Sequence, residues 1–432
     1  MTGQEIRPHV LVVHPGGLGD LVLLSELIAS LKQAHPERAV TLICRSEFTS
    51  IVDCYPAPPD EVVGLPFQPY SWAEPREEFN AFFRPMLSRF GRARAAVLVD
   101  AALRPNWLAE FLAAGLEPDC SIRCGVAADR VGQLPEMLKR FGLSRQPFRD
   151  LELPARTHER DRYRLLAEAL DSSFIPAMPW RMPEGWKQQS LAWLGERGIE
   201  PRKYLSCAPF GAASTPIKRW PIASFTEVLH RFFKDSEWPV LLMGDHAEHK
   251  LLAGVDSLLC DVHSFCFAGR PEELPLAAGL LSMAGAYLAN DSGLMHLAQA
   301  YGVPGAAIFG GGGEWPAYAP WAHGSAGLCH PLPCFGCQWD CFLGHGLCVE
   351  SVTVEKVHET LSAVCQAPKQ APRNVILDTL GEPLIGLVAD ASARYREVQQ
   401  DRSARLEVIV ELERSRREWA ARESELDPSL VE

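Results

Sequence analysis

The chain has 432 residues, enough for roughly two to three ordinary domains, and 47% hydrophobic with 22% charged residues describes a globular protein with a substantial core. A net charge of −12 with no segregated basic face excludes a nucleic-acid partner. No apolar run reaches the roughly 18 residues of a membrane span, and the N-terminus MTGQEIRPHVLVV lacks the layout of a secretion signal. The expectation is therefore a cytoplasmic protein whose 13 cysteines are reduced thiols or metal ligands.

HVLVVHP (9–15), AVTLICR (39–45), EVVGLP (61–66) and AAVLVD (95–100) are short apolar runs, the pattern of parallel strands buried on both faces. Between the first two, LVLLSELIASLKQAHPE predicts a helix ending near Pro36, which completes a strand–helix–strand unit. The turn that joins them, HPGGLGDLVLL, sets Gly16, Gly17 and Gly19 in front of Asp20. Those residues alone allow a phosphate cradle, a turn capped by an aspartate, or a catalytic base. The phosphate cradle is the poorest of the three, because a P-loop needs a Lys where Asp20 stands and the Rossmann spacing of glycines is absent.

From 150 to 200 the alternation fades into a helix at RTHERDRYRLLAEAL and a Pro- and Trp-bearing connection, FIPAMPWRMPEGW. Strands then resume at YLSCAPF (204–210), PVLLMG (239–244), SFCFAG (264–269), AYLAND (286–291) and GAAIFG (305–310). The expected fold is α/β: two doubly wound lobes facing a cleft, with an N-terminal domain at 1–175, a linker at 176–203 and a C-terminal domain at 204–370. A single large α/β domain is the simpler alternative.

Two stretches of the second half suit an anion. In CAPFGAASTPIKRWPIASF, small residues and hydroxyls (Gly211, Ser214, Thr215) precede Lys218 and Arg219. In LANDSGLMHLAQAYGVP, Asp291, Ser292 and Gly293 close a strand and open a helix whose N-terminus favours a diphosphate. Each has an ordinary explanation too: a surface loop with solvated cations, a capped helix, and a buried structural His296. Arg89, Arg92, Arg94, Arg104 and Arg123 could serve an anionic lipid-sugar surface, although solvated arginines are the default.

HPLPCFGCQWDCFLGHGLC carries Cys334, Cys337, Cys341 and Cys348 at spacings C-x2-C-x3-C-x6-C. In a reducing compartment such a set suits one structural Zn or Fe, with His330 and His345 as spare ligands; free thiols and disulfides are the alternatives. The tail from 385 to 426 predicts a charged helix or weak coiled coil. Asp401/Arg405, Glu413/Arg417 and Glu418/Arg422 are spaced i,i+4, and Tyr395, Val398, Ile409, Leu412 and Trp419 form a seam broken by Arg402, Arg405 and Arg416. It could serve homo-oligomerisation.

Taken together, HPGGLGDLVLL, KRWP at 218–221, GDHAE at 244–248 and NDSGLMHLA at 290–298 resemble glycosyltransferase family 9, the heptosyltransferases that use ADP-heptose in lipopolysaccharide core assembly. The likeness runs from about residue 9 to 365. It implies a GT-B fold with the acceptor in the N-terminal lobe and the nucleotide sugar in the C-terminal lobe. It further implies that Asp20 is the catalytic carboxylate, that Lys218 reaches the donor diphosphate, and that Ser214 supplies a hydroxyl. Glu248 would hold the ribose; Asp291, Ser292, Gly293, Leu294 and His296 would form the D-x-G-x-x-H phosphate motif. Gly16, Gly17 and Gly19 would let an acceptor come close. In similar autotransporter heptosyltransferases a cysteine finger holds iron. One stretch departs from the family: IFGGGGEWPAYAPW (308–321) has four consecutive glycines followed by Glu314 and aromatics, in a loop expected near the donor.

The expected function is an inverting transfer from an ADP-heptose-type donor to a glycan or lipid-linked acceptor. No cofactor is expected for catalysis, and contact with the inner membrane would be peripheral. A protein O-heptosyltransferase, an enzyme for another nucleotide sugar and a non-catalytic envelope-assembly scaffold are the alternatives.

Overall fold

The computed structural model describes residues 8–67, 77–91, 95–102, 106–124, 138–139, 141–153, 157–176, 179–211, 215–311, 316–335, 337, 341–377 and 385–399. The first lobe runs β1 (His9–His14), α1 (Leu18–Ala34), β2 (Ala39–Arg45), β3 (Glu61–Leu65), α2 (Glu77–Gly91), β4 (Ala95–Asp100), α3 (Trp107–Leu116), β5 (Cys120–Arg123), β6 (Arg149–Asp150) and α4 (Glu159–Glu168). Its strands form one parallel sheet in the order β3-β2-β1-β4-β5-β6. A helix α5 (Glu184–Gly195) leads to the second lobe.

There the elements are β7 (Leu205–Ala208), α6 (Ile222–Ser236), β8 (Val240–Asp245), α7 (His249–Ser257), β9 (Ser264–Gly269), α8 (Leu274–Ser282), β10 (Ala286–Asn290), α9 (Gly293–Ala300), β11 (Gly305–Phe309), β12 (Ser325–Cys329), α10 (Leu347–Glu350), α11 (Val354–Gln366) and β13 (Arg373–Ile376). The second sheet, also parallel, has the order β13-β12-β11-β10-β7-β8-β9.

The continuous apolar strands are explained by where alternate side chains go. On β1, Val10 and Val12 face α1, whereas Leu11 and Val13 join Phe83, Phe111 and Leu112 on the opposite face. On β10, Leu288 packs with Leu205, Ile308 and Phe225, while Tyr287 and Ala289 turn the other way. Helix α1 is buried on every side from Leu21 to Leu31, its polar Ser25, Glu26 and Ser30 included, rather than along one amphipathic face. It lies between the first sheet and α9, and one core therefore continues from Leu24 and Ile28 into Met295 and Leu297 of the second lobe.

The connection at 176–203 is more ordered than a linker, since it carries α5, which packs against α8. The second sheet takes its last strand from 373–376, beyond residue 370. In the tail, residues 385–399 are helical, with Val388 and Ser392 buried and Tyr395 5.7 Å from Phe342. The seam and ion-pair residues from Asp401 to Arg422 lie outside the described residues. Among the described residues no helix is long and apolar enough to cross a membrane.

In each sheet the strand order reverses direction once, between β1 and β4 and between β10 and β7. Ligands of doubly wound sheets sit outside the carboxyl ends of the strands at such a switch point. Val13 pairs with Asp100 at the first, and Ala289 with Ala208 at the second.

Candidate active site between the lobes

Asp20 is the third residue of α1, with Gly17 at the N-cap. Its Oδ2 accepts the Gly17 N–H at 2.8 Å, so the carboxylate satisfies one orphan donor of the helix and faces its positive end. Asp20 does not occupy the N-cap itself, which corrects the simplest capping reading. Its second oxygen, Oδ1, accepts the Tyr318 hydroxyl at 2.8 Å. Tyr318 belongs to the second lobe, so the carboxylate stands at the junction of the two.

The glycines before Asp20 have crowded neighbours. A Cβ on Gly16 would come within 2.7 Å of Asp20 Oδ2 and of His14, and one on Gly19 within 2.7 Å of the His296 ring. Their smallness lets Asp20, His14 and His296 converge, whatever room it leaves for an acceptor. His296, on α9, is buried, and burial pushes its imidazole down to about 3, against the opposing pull of the Asp20 charge and with a further push from Lys218. It is a neutral ring within electrostatic reach of both residues.

The switch point of the first lobe carries residues that sequence reasoning passed over. His14, ending β1, is held neutral by burial, which lowers it to about 3, and its Nε2 lies 3.0 Å from the Tyr163 hydroxyl. Asp100, ending β4, is raised to about 7 by burial, even though Asn106 and the Ala102 N–H both donate to it. Arg162 on α4 pairs with Glu159 and donates to the Ala101 carbonyl at 2.7 Å. The only signal for Asp100 was a carboxylate closing an apolar run. Arg123 is not a surface arginine: its side chain is 5% exposed and ion-paired with Glu110 and Asp150. Arg89 is exposed and pairs with Glu61; Arg92, Arg94 and Arg104 lie outside the described residues.

In the second lobe Asn290 organises the switch point. Its side-chain amide donates to the Pro209 carbonyl at 2.7 Å, and its Oδ1 accepts the Trp220 N–H at 3.0 Å. One buried amide thus ties the end of β10 to the loop after β7 and to the turn that bears Lys218. Lys218 Nζ lies 3.1 Å from Asp291 Oδ2, with 12% and 9% of the two side chains exposed, an anchored cation at the cleft.

Glu248 is buried after β8: its oxygens accept the N–H groups of Gly211 (3.0 Å) and Asp245 (3.2 Å), and Arg219 lies 3.6 Å away. Gly211 has φ +103, a conformation that favours glycine, and a Cβ there would meet Ser292. Ser292 is the N-cap of α9, yet its buried hydroxyl caps nothing and has no partner among the described residues. Its N–H and those of Gly293 and Leu294 belong to the unpaired first turn. Asp20, Lys218, Asp291, Ser292, Gly293, Leu294 and His296 are therefore grouped around the junction, and Glu248 sits at the far side of the loop after β7. Ser214 lies outside the described residues.

The four cysteines Cys334, Cys337, Cys341 and Cys348 line one pocket, closed by Ile217 and Gly311. Burial raises Cys334 to about 11, and the other three thiols push it the same way. The Gly311 N–H donates to Cys348 Sγ at 3.3 Å. His330 Nδ1 lies 2.8 Å from Ser351 Oγ and His345 Nδ1 2.8 Å from Glu350 Oε2, bonds of the kind that fix the ring of a ligating histidine and do not withdraw it as a ligand. Among the described residues no group of three His, Cys, Asp or Glu side chains is assembled to hold a metal. The donor chemistry of the four thiols fits a thiophilic ion.

Residues 146–339 match the sequence model of glycosyltransferase family 9 (heptosyltransferase). The chain is 26% identical to lipopolysaccharide heptosyltransferase 2 of Salmonella typhimurium, over 70% of this chain and 82% of that protein. It is 29% identical over 167 residues to lipooligosaccharide heptosyltransferase 2 of Campylobacter jejuni, and spans about half the length (51%) of that relative. In fold it is similar to a glycosyl transferase family 9 protein from Veillonella parvula, with TM-score 0.64 and 17% identity over 84% of this chain and 99% of that one. It also resembles ADP-heptose lps heptosyltransferase II of E. coli, with TM-score 0.60 and 19% identity over 83% and 98%.

Proposed function

The chain belongs to glycosyltransferase family 9, and from that premise we propose that it transfers a heptose from an ADP-heptose-type donor to a lipopolysaccharide core-like glycan, with inversion. The observation that carries the reading is the meeting of two helix starts: a Cβ on Gly293 would come within 3.1 Å of the Gly19 nitrogen, next to Asp20, and Asp291, two residues before Gly293, holds Lys218 at 3.1 Å. A base and a cation thereby share one cleft.

In this reaction Asp20 accepts the proton of an acceptor hydroxyl as its oxygen attacks the anomeric carbon. The bond from that carbon to the diphosphate breaks on the opposite face. Lys218 and the N–H groups of Ser292, Gly293 and Leu294 at the start of α9 take up the charge of the departing nucleoside diphosphate. Asp291 holds Lys218 in place, and Glu248 steadies the donor loop while keeping lone pairs for a ribose hydroxyl. The test is release of ADP from ADP-heptose in the presence of a deacylated lipopolysaccharide core oligosaccharide. UDP- and GDP-sugars are run in parallel. ADP-heptose is expected to be turned over at least tenfold faster; preference for another nucleotide sugar overturns the donor assignment.

We propose further that Cys334, Cys337, Cys341 and Cys348 hold one structural Zn or Fe. A bound ion would cross-link a loop that abuts the catalytic turn, because a Cβ on Gly346 would come within 2.5 Å of the Ile217 carbonyl, next to Lys218. Elemental analysis of protein purified without chelators is expected to return close to one equivalent of Zn plus Fe. A value below a tenth of an equivalent removes the metal.

A further inference from the structure

We propose that Tyr318 is a positioning residue for Asp20, delivered across the cleft by the segment 316–321. This inference rests on the reading of Asp20 as the base. The segment follows the glycine-rich loop after β11, yet it is fastened to the first lobe at every step. The Ala317 carbonyl accepts the Glu159 N–H at 2.9 Å. The Ala319 carbonyl lies 3.0 Å from His158 Nε2, which must donate, because His158 Nδ1 accepts the Arg160 N–H at 3.1 Å. The Arg160 guanidinium lies over the Trp321 ring, 4.9 Å from its centroid, while it also grips Glu26 of α1 with Nε 2.9 Å from both carboxylate oxygens. On its own side the segment is anchored by the Trp321 N–H, which donates to Gln299 Oε1 at 2.8 Å.

So held, Tyr318 meets Asp20 and the edge of the His296 ring, its centroid 5.8 Å away. Burial, with the Asp20 charge beside it, raises the phenol well above its usual range, so it stays a donor at any working pH. The carboxylate then has one donor on each oxygen, Gly17 N–H on Oδ2 and Tyr318 O–H on Oδ1. Two fixed bonds stop the carboxylate from turning about its last torsion. Of its roughly four lone-pair sites, two remain for an acceptor hydroxyl. Because one of those bonds comes from the opposite lobe, the base is aimed only when the lobes are closed, which ties chemistry to closure.

Tyr318→Phe removes the hydroxyl and keeps the ring. With ADP-heptose and a deacylated core oligosaccharide, kcat is expected to fall about tenfold or more. The Kd for ADP by calorimetry and the acceptor KM should stay within about threefold. Added to Asp20→Asn, the substitution is expected to cause no further loss, because the group it positions is already gone. The proposal is overturned if kcat stays within threefold of wild type, or if the loss lies in Kd or KM. It is equally overturned if Tyr318→Phe lowers the residual rate of Asp20→Asn as much as it lowers wild type. An Asp20→Asn enzyme with full turnover defeats the base reading instead, so the two failures are distinct.

Discussion

Asp20→Asn is expected to cut transfer to a small residual rate while leaving the protein folded and able to bind its donor. The amide oxygen can still accept the Gly17 N–H that Asp20 Oδ2 now accepts, so the start of α1 keeps its cap. The amide nitrogen can sit opposite the Tyr318 hydroxyl, which is free to reverse and accept. What is lost is the negative charge at the end of the helix, worth about 0.3–1 kcal/mol of stability, and the ability to take a proton. Loss of a general base typically lowers the rate by about 10²–10⁴. The groups proposed to hold the donor, Lys218, Asp291 and the N-terminus of α9, belong to the other lobe. ADP affinity by calorimetry should therefore remain within a few-fold. Turnover retained in full would take Asp20 out of the base role.

The opening of the chain shows how far sequence alone reaches. Apolar runs rich in Val and Ile announce β1, β2 and β4, because both faces of a parallel strand are buried and its side chains read as one continuous stretch. β12, SAGLC, and β5, CSIR, carry a weaker signal of small or polar residues, and β6 and β13 are edge strands of two and four residues. Those four were invisible to apolar patterning. The motif G-D-H-A-E near a strand end was legible since it satisfies its own local backbone. Asp245 and Glu248, for instance, close a reciprocal capping box.

Partners brought from far along the chain could not be read. Asn290 stands inside a quoted motif, yet its work of tying two loops together exists only in three dimensions. Tyr318 was one aromatic among several after a run of glycines, and 298 positions separate it from Asp20. The glycines before Asp20 were expected to admit an acceptor, and the structure shows side chains of the chain itself close to Gly16 and Gly19. Which groups approach there, His14 and His296, depended on the meeting of β1 with α9.

The largest effect on stability is expected from Arg162→Met, at a residue that touches no reacting atom. Arg162 is buried at 1% exposure, with its guanidinium bonded to Glu159 and to the Ala101 carbonyl. Removing the cation strands the Glu159 carboxylate in a place that excludes water. Breaking one side of such a pair typically costs about 3–5 kcal/mol. For a lobe of this size each kcal/mol lowers the midpoint by about 2–4 °C, so the melting temperature should fall by roughly 6–20 °C. Replacing both partners, Glu159→Leu with Arg162→Met, should restore most of the loss, since neither charge is then left without its partner. The consequence reaches the site, because Glu159 holds the 316–321 segment through its backbone N–H and Tyr163, the residue after Arg162 on α4, bonds His14. A single variant that melts within about 2 °C of wild type, or a double variant no more stable than the single, would show that the pair does not anchor α4.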